Sequence, residues 1–173
     1  KLFRGWSTAV SAGGDAEAVD RGVAMFRQAY ADNAATGARL SQPYYLSLLI
    51  EVCLLHGRFD EAREALETAF SIIEATGEHF WAAEIHRLRG ELALHTGAEA
   101  EAAGWYRQAL EGGRERGARS FELRAAMGLA RLWARQDRRE AARDLLAEVY
   151  GNFDEGLGTA DLIDARALLA ELA

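Results

Sequence analysis

The sequence predicts an all-α fold, an α-α superhelix assembled from helix-turn-helix units, and three observations predict it. The first is self-similarity at a shift of 40 residues, the signature of a repeat architecture. At that shift Gly37, Gly77 and Gly117 align, as do Ala29, Ala69 and Ala109, and Ala62, Ala102 and Ala142. Phe26, Leu66, Tyr106 and Leu146 share one position, and Gly57 aligns with Gly97 and Asp137. The second is that apolar residues recur at helical and not at strand spacing throughout. The third is composition. Half of the 173 residues are hydrophobic, only 9% are aromatic and there is a single Pro, a balance that suits helices and leaves no β-sheet to expect.

Each element follows in order. A short first helix around Phe3 to Val10 precedes Gly13-Gly14-Asp15, and a second helix runs from about Ala16 to Ala35. Leu46, Leu49, Ile50 and Cys53 then stripe one helix, and Ala62, Leu66, Ala69, Phe70 and Ile73 stripe its partner. Between them Gly57 can take the left-handed conformation that ends a helix, and Asp60 is expected to cap the next. The following unit repeats the design with Trp81, Ile85, Leu88 and Leu92, a turn at Gly97, then Ala102, Tyr106, Ala109 and Leu110. Phe121, Ala125, Leu129 and Leu132, followed by Ala142, Leu145, Leu146 and Val149, make the next pair. After Gly156-Leu157-Gly158, Thr159 can cap a last helix striped by Leu162, Ala165, Leu169 and Leu172, which covers the end of the stack. One helix pair cannot bury its own stripes, so pairs stack around a continuous core. We therefore expect one domain, with repeats at about residues 1–36, 37–76, 77–116 and 117–156 and a capping helix at 157–173. The four tryptophans, Trp6, Trp81, Trp105 and Trp133, are expected in inter-repeat packing. Tyr44 and Tyr45 follow Pro43 at a helix start, one expected in the core and the other as a binding anchor.

The lone Cys53 excludes an internal disulfide framework and a Cys-based zinc site, and reads as a small apolar residue inside a helix. The longest apolar run is far too short to span a bilayer and the start has no signal-peptide pattern, so a cytoplasmic location is expected. A net charge of −7 argues against nucleic acid as a partner, which would need basic residues gathered on one face.

Ala62 and Ala69 bracketing Leu66, with small Gly90 or Ala130 in a first helix, resemble the tetratricopeptide repeat, and imply its right-handed solenoid. The period of 40 exceeds that family's usual 34 and the Pro that closes its repeats is absent. A further resemblance lies in Gln42-Pro43-Tyr44-Tyr45, in Glu84-Ile85-His86-Arg87-Leu88-Arg89-Gly90-Glu91-Leu92, and in Glu122-Leu123-Arg124-Ala125-Ala126 with Leu129-Ala130-Arg131-Leu132-Trp133. From about Gly37 onward the chain is similar to the C-terminal repeat region of bacterial multidomain regulators, the "predicted ATPase" group. In that group a class III nucleotidyl cyclase or a DNA-binding domain precedes an ATPase module. The resemblance implies a regulatory module whose catalytic or DNA-binding work is done by other domains. Lys1 in place of Met, inside a predicted helix, fits a fragment of a longer chain.

No chemistry emerges from the motifs. No Gly-rich stretch leads into Lys-Ser or Lys-Thr, and Lys1 is the only lysine, so a phosphate-binding loop is not expected. His56, His79, His86 and His95 include no zinc-protease spacing. We expect no catalytic residues, no cofactor and no metal. Glu84, Arg87 and Glu91 fall on one helix face, readable as an exposed charge ladder. The tetratricopeptide resemblance implies instead that first helices line a groove. Tyr44, Ser47, Glu51 and Leu55 would line it in one unit, Glu84, Arg87, Glu91 and His95 in the next, and Arg124, Met127, Arg131 and Arg135 in the last. The stripe of Arg124, Arg131 and Arg135 could hold a carboxylate or phosphate bidentately, or be plain solvated charge. The leading expectation is a protein-binding regulatory module that engages a peptide, a partner or other domains of its parent chain. The alternative is a small-molecule effector sensor, distinguishable by a closed apolar pocket in place of an open groove. A homodimer through the N-terminal end, where Leu2, Phe3 and Trp6 would lie open, is a separate expectation.

Overall fold

The structure is a computed structural model that describes residues 1–39 and 41–173. The described residues form helices and no strands: α1 (Leu2–Val10), α2 (Ala16–Ala35), α3 (Gln42–Leu55), α4 (Phe59–Thr76), α5 (Ala82–His95), α6 (Glu99–Glu115), α7 (Arg119–Arg135), α8 (Arg139–Tyr150) and α9 (Ala160–Leu172). The all-helical, repeat-built class read from the sequence is the one found. The chain divides into two compact units, residues 1–88 and 89–173, and the division falls inside α5.

The turns have a common chemistry. After α3, Gly57 has φ +69° and the Arg58 N–H donates to the Cys53 carbonyl at 2.8 Å. The same backward bond follows Gly97, from Ala98 to Ala93 at 2.8 Å, and Gly117, from Ala118 to Gly113 at 2.9 Å. This pattern satisfies carbonyls that a helix end leaves without partners, and it requires a left-handed residue that glycine adopts without a Cβ clash. Asp137, aligned with Gly57 and Gly97, takes the same conformation at φ 59° and carries the same bond, from Arg138 to Trp133. Aspartate is among the few side chains that tolerate this region.

In the first unit α1 packs on α2, α3 on α4, and α3 also meets α1 and α2. The first pair is held unusually close. A Cβ built on Gly5 would lie 2.6 Å from the Phe26 backbone nitrogen, and one on Gly22 2.6 Å from that of Ala9. Asp15 caps α2 by accepting from the Ala18 N–H at 3.1 Å. Phe26, Ile50, Cys53, Ala62, Leu66 and Ala69 are buried, so each predicted stripe faces inward.

In the second unit α6 packs on α7, α7 on α8, and α9 on both α7 and α8. Tyr106 of α6 is fully buried, its ring wedged against two helical glycines. A Cβ on Gly90 would meet the ring at 2.9 Å and one on Gly128 at 2.6 Å. Leu162, Ala165, Leu168 and Leu172 bury the inner face of α9 against Leu123, Met127, Leu146 and Val149.

Several sequence expectations are corrected. Asp60 does not cap α4: Arg58 holds the N-cap position and Asp60 sits in the first turn, where its charge favours the helix N-terminus. Thr159 occupies the N-cap of α9 but its side chain makes no capping bond. Trp6, Trp81, Trp105 and Trp133 are each half-buried; of the expected inter-repeat packing, Trp81 stacks on Tyr44 of α3 and Trp133 packs against the core of the second unit. Tyr44 and Tyr45 are both half-buried, so neither is core.

Gly128 and Gly104 provide a matched pair for testing the wedge. Gly128→Ala should destabilise the protein by about 1–3 kcal/mol in urea unfolding, because the Tyr106 ring cannot yield without overpacking the core. Gly104→Ala, with nothing within 4 Å of a Cβ there, should stabilise it by about 0.5–1 kcal/mol through helix propensity alone.

Candidate functional site

The predicted first-helix residues fall in both units. In the first unit, Arg87 of α5 donates from Nε to Glu84 Oε2 at 3.0 Å and from a terminal nitrogen to Glu84 Oε1 at 2.8 Å, a bidentate pair. It also reaches Glu51 of α3 at 3.2 Å. Glu84 is only 2% exposed, and the Arg87 side chain is 12% exposed. The exposed ladder is therefore overturned for these residues, which form a desolvated clamp between α3 and α5. The reason is positional. Glu84 is in the first turn of α5, flanked by buried Ala83 and Ile85 and one turn before buried Leu88, and the guanidinium fork offsets part of the cost of burying its charge.

The rest of that predicted surface is uneven. Ser47 is buried and its hydroxyl donates to the Tyr44 carbonyl at 2.7 Å, so it does not line an open groove, whereas Leu55 is exposed. Tyr44 stacks with Trp81 at a centroid distance of 4.6 Å and with Tyr45 at 5.6 Å, and Phe3 lies 6.3 Å from Tyr44. Phe80 meets Trp81 edge-on at 5.2 Å. This aromatic row joins α1, the start of α3 and the turn before α5.

In the second unit a recess of about 430 Å³ opens between α5, α7 and α9. Tyr106 and Gly128 lie at its floor; Glu91 and Leu94 come from α5, Arg131, Ala134 and Arg135 from α7, Arg139 from α8, and Leu168, Glu171 and Leu172 from α9. Arg131, Arg135, Arg139 and Glu171 are exposed, so the recess is open to solvent. Three of the predicted residues, Glu91, Arg131 and Arg135, come together here. Arg124 does not join them: its Nε donates to Asp161 of α9 at 2.7 Å. Met127 is buried and His95 exposed, which divides what the sequence grouped. Arg131 and Arg135 carry no hydrogen bond or ion pair among the described residues.

Residues 43–115, from the start of α3 to the end of α6, match the family model of the tetratricopeptide repeat. This region is tetratricopeptide-like. Such repeats generally mediate protein–protein interaction through the surface their stacked helices present, and the fold is typically non-catalytic. The chain is also 30% identical over 132 residues to an uncharacterized protein of Rhizobium meliloti (strain 1021). That stretch is 76% of this chain and 12% of the relative, so the chain spans a small fraction of the relative's length.

Within and beside the tetratricopeptide-like region, ion pairs tie neighbouring helices together. Arg58 pairs with Glu61 and with Asp20 at 2.7 Å, and Arg27 reaches Glu61 at 2.6 Å, tying α2 to α4. Arg114 joins Glu122 and Glu148, each at 2.9 Å, tying α6 to α7 and α8. Among the described residues no cluster of three or more His, Cys, Asp and Glu is placed to hold a metal, and no helix is long and apolar enough to cross a membrane. Burial pushes the Cys53 thiol up to about 11, with the Glu61 carboxylate adding to the effect while Arg58 and Arg27 oppose it.

Sequence reasoning missed Tyr106, Gly128 and the α9 residues as lining. Two glycines inside helix patterns, Gly90 and Gly128, were the available signal: each is disfavoured there by about 1 kcal/mol and implies a close approach. The contribution of α9 had no signal, because its stripe reads only as a cap.

Arg87→Ala should lower stability by about 3–5 kcal/mol in chemical denaturation, since it removes the bidentate partner of the buried Glu84 carboxylate; Arg131→Ala should change it by no more than about 0.5 kcal/mol. Cys53 should resist iodoacetamide at pH 8 in the folded protein and react on unfolding in urea. The raised folded value also means that this thiol's contribution to stability is present below pH 9 and is lost as pH rises toward 11.

Proposed function

We propose that the chain is a non-catalytic protein-interaction and regulatory module of a larger bacterial signalling or transcription-regulating protein, acting in the cytoplasm. The observation that carries this reading is the open recess of the second unit, in which the unpaired Arg131 and Arg135 stand beside Leu94, Leu168 and Leu172. Polar anchors around an apolar floor are what a protein partner uses for orientation and for area. The tetratricopeptide match supports the interaction role, and similarity to 12% of a far longer bacterial protein supports membership of a larger chain. The same reading treats residues 1–173 as one domain of four repeats and a capping helix, with other domains of the parent chain as the first candidates for partner and neither nucleic acid nor membrane among them.

A small-molecule effector fits less well. The recess volume lies in the range of ligand sites, but such sites bury most of their ligand, and here the arginines that would hold it are exposed. Self-association through α1 belongs to the proposal too, since Phe3 is 54% exposed beside half-buried Leu2 and Trp6.

The test is calorimetric titration of this chain with the remaining domains of its full-length protein, for the wild type and for Arg131→Ala/Arg135→Ala, with helicity followed by circular dichroism. Binding that weakens at least tenfold with helicity intact is expected. Equal binding would remove the recess from the interface, and absence of binding to any of those domains would remove the regulatory role in cis.

A further inference from the structure

The recess of the second unit has a definite charge chemistry, and its own helix α7 shows what that chemistry accepts. Arg124, Arg131 and Arg135 lie along α7, and the first already holds a helix-borne carboxylate: Asp161, in the first turn of α9, sits 2.7 Å from Arg124 Nε. The other two hold nothing among the described residues. They are four residues apart, one helical turn, so their guanidinium stems rise about 6 Å apart along α7. Arg139 adds a third cation whose partner is the Glu171 backbone carbonyl and not a carboxylate, which leaves its charge uncompensated. Glu91 and Glu171 are the acidic groups of the lining, so three cations face two anions on a chain whose net charge is −7. Across from the arginines, half-buried Leu94 supplies apolar surface beside the edges of Leu168 and Leu172, which are 6% and 4% exposed.

We propose that this recess docks an acidic amphipathic helix of a protein partner, with carboxylates at i and i+4 on Arg131 and Arg135 and an adjacent apolar side chain on Leu94. The inference rests on the interaction role proposed above and names the chemistry of the partner. The match is one of period as well as charge: two carboxylates one turn apart on a helix laid along α7 meet two guanidiniums one turn apart, as Asp161 meets Arg124. Charge-assisted pairs of this kind steer encounter and fix register, while the apolar contact excludes water from them. Glu171 lies at the α9 side of the recess and disfavours a carboxylate there, which orients the acidic face of the partner toward α7.

The experiment is fluorescence anisotropy with a capped, Ala-rich helical peptide carrying Glu at i and i+4 and Leu at i+3 and i+7, titrated with the full 173-residue chain. The peptide is expected to bind, and affinity is expected to fall at least tenfold when its two Glu become Gln, and equally with Arg131→Ala/Arg135→Ala. A Lys-for-Glu peptide should bind Arg131→Glu/Arg135→Glu and not the wild type, a rescue that a purely structural role of the arginines would not give. Equal binding of the Gln peptide, tighter binding of an extended Glu-Ala-Glu peptide, or inorganic phosphate held at the same arginines more tightly than the peptide would each overturn the proposal. So would self-association in sedimentation that is lost in the Arg131→Ala/Arg135→Ala variant, which would make a second copy the occupant. If domains of the parent protein bind the chain and lose affinity with Leu94→Glu but not with Arg131→Ala/Arg135→Ala, the acidic helix fails while the interaction role stands.

Discussion

The structure depends on one packing constraint, repeated every 40 residues: each second helix buries one bulky side chain a turn after a small residue, Phe26 after Gly22, Leu66 after Ala62, Tyr106 after Ala102 and Leu146 after Ala142. Phe26, Leu66, Tyr106 and Leu146 are all buried to within 1%, and Ala62, Ala102 and Ala142, each one turn earlier, are fully buried with them. A helix axis can approach its neighbour only where a side chain is short, and the large residue then fills the volume left between turns. The largest of these residues, Tyr106, also has two helical glycines against its ring, at positions 90 and 128. The cost in helix propensity is offset by the buried ring.

That constraint explains why charge in this protein is mostly architectural. With second helices committed to bulky packing and first helices to close approach, the flanks of the helices are left to hold neighbours in register, and arginine does so repeatedly. Arg58 and Arg27 share Glu61, Arg114 joins Glu122 to Glu148, and Arg87 joins Glu84 to Glu51. Most of these pairs are partly exposed and add little to stability singly. The Arg87 pair differs because Glu84 is buried, and there the geometry is bidentate, as desolvation demands.

How much of this was legible follows from which signals are local. The helices, their turns and the buried stripe were readable because period, glycine position and apolar spacing are properties of adjacent residues: α2 was expected from Ala16 to Ala35 and is found there. The N-cap of α4 lies at Arg58, two residues before the Asp60 that suggests a cap, because the left-handed Gly57 turns the chain into the helix immediately after it. The candidate site was legible only as a set of faces. Spacing put Arg124, Arg131 and Arg135 in one stripe, but it could not say that Asp161, thirty-seven residues onward, would take the first and leave the other two. Nor could it say that Glu84 and Arg87, spaced like any surface pair, would be drawn inside beside buried Ala83, Ile85 and Leu88.

This separation of used from unused arginines bears on function more than their number does. A guanidinium that bridges two helices has its donors spent, and replacing it perturbs the fold before it perturbs any partner. Arg131 and Arg135 are different in kind, since they stand over a recess and carry no hydrogen bond or ion pair among the described residues. Leaving two adjacent like charges unpaired on one helix face is mildly unfavourable to that helix. A surface that accepts this penalty beside the apolar surface of Leu94 is better suited to association than to stability.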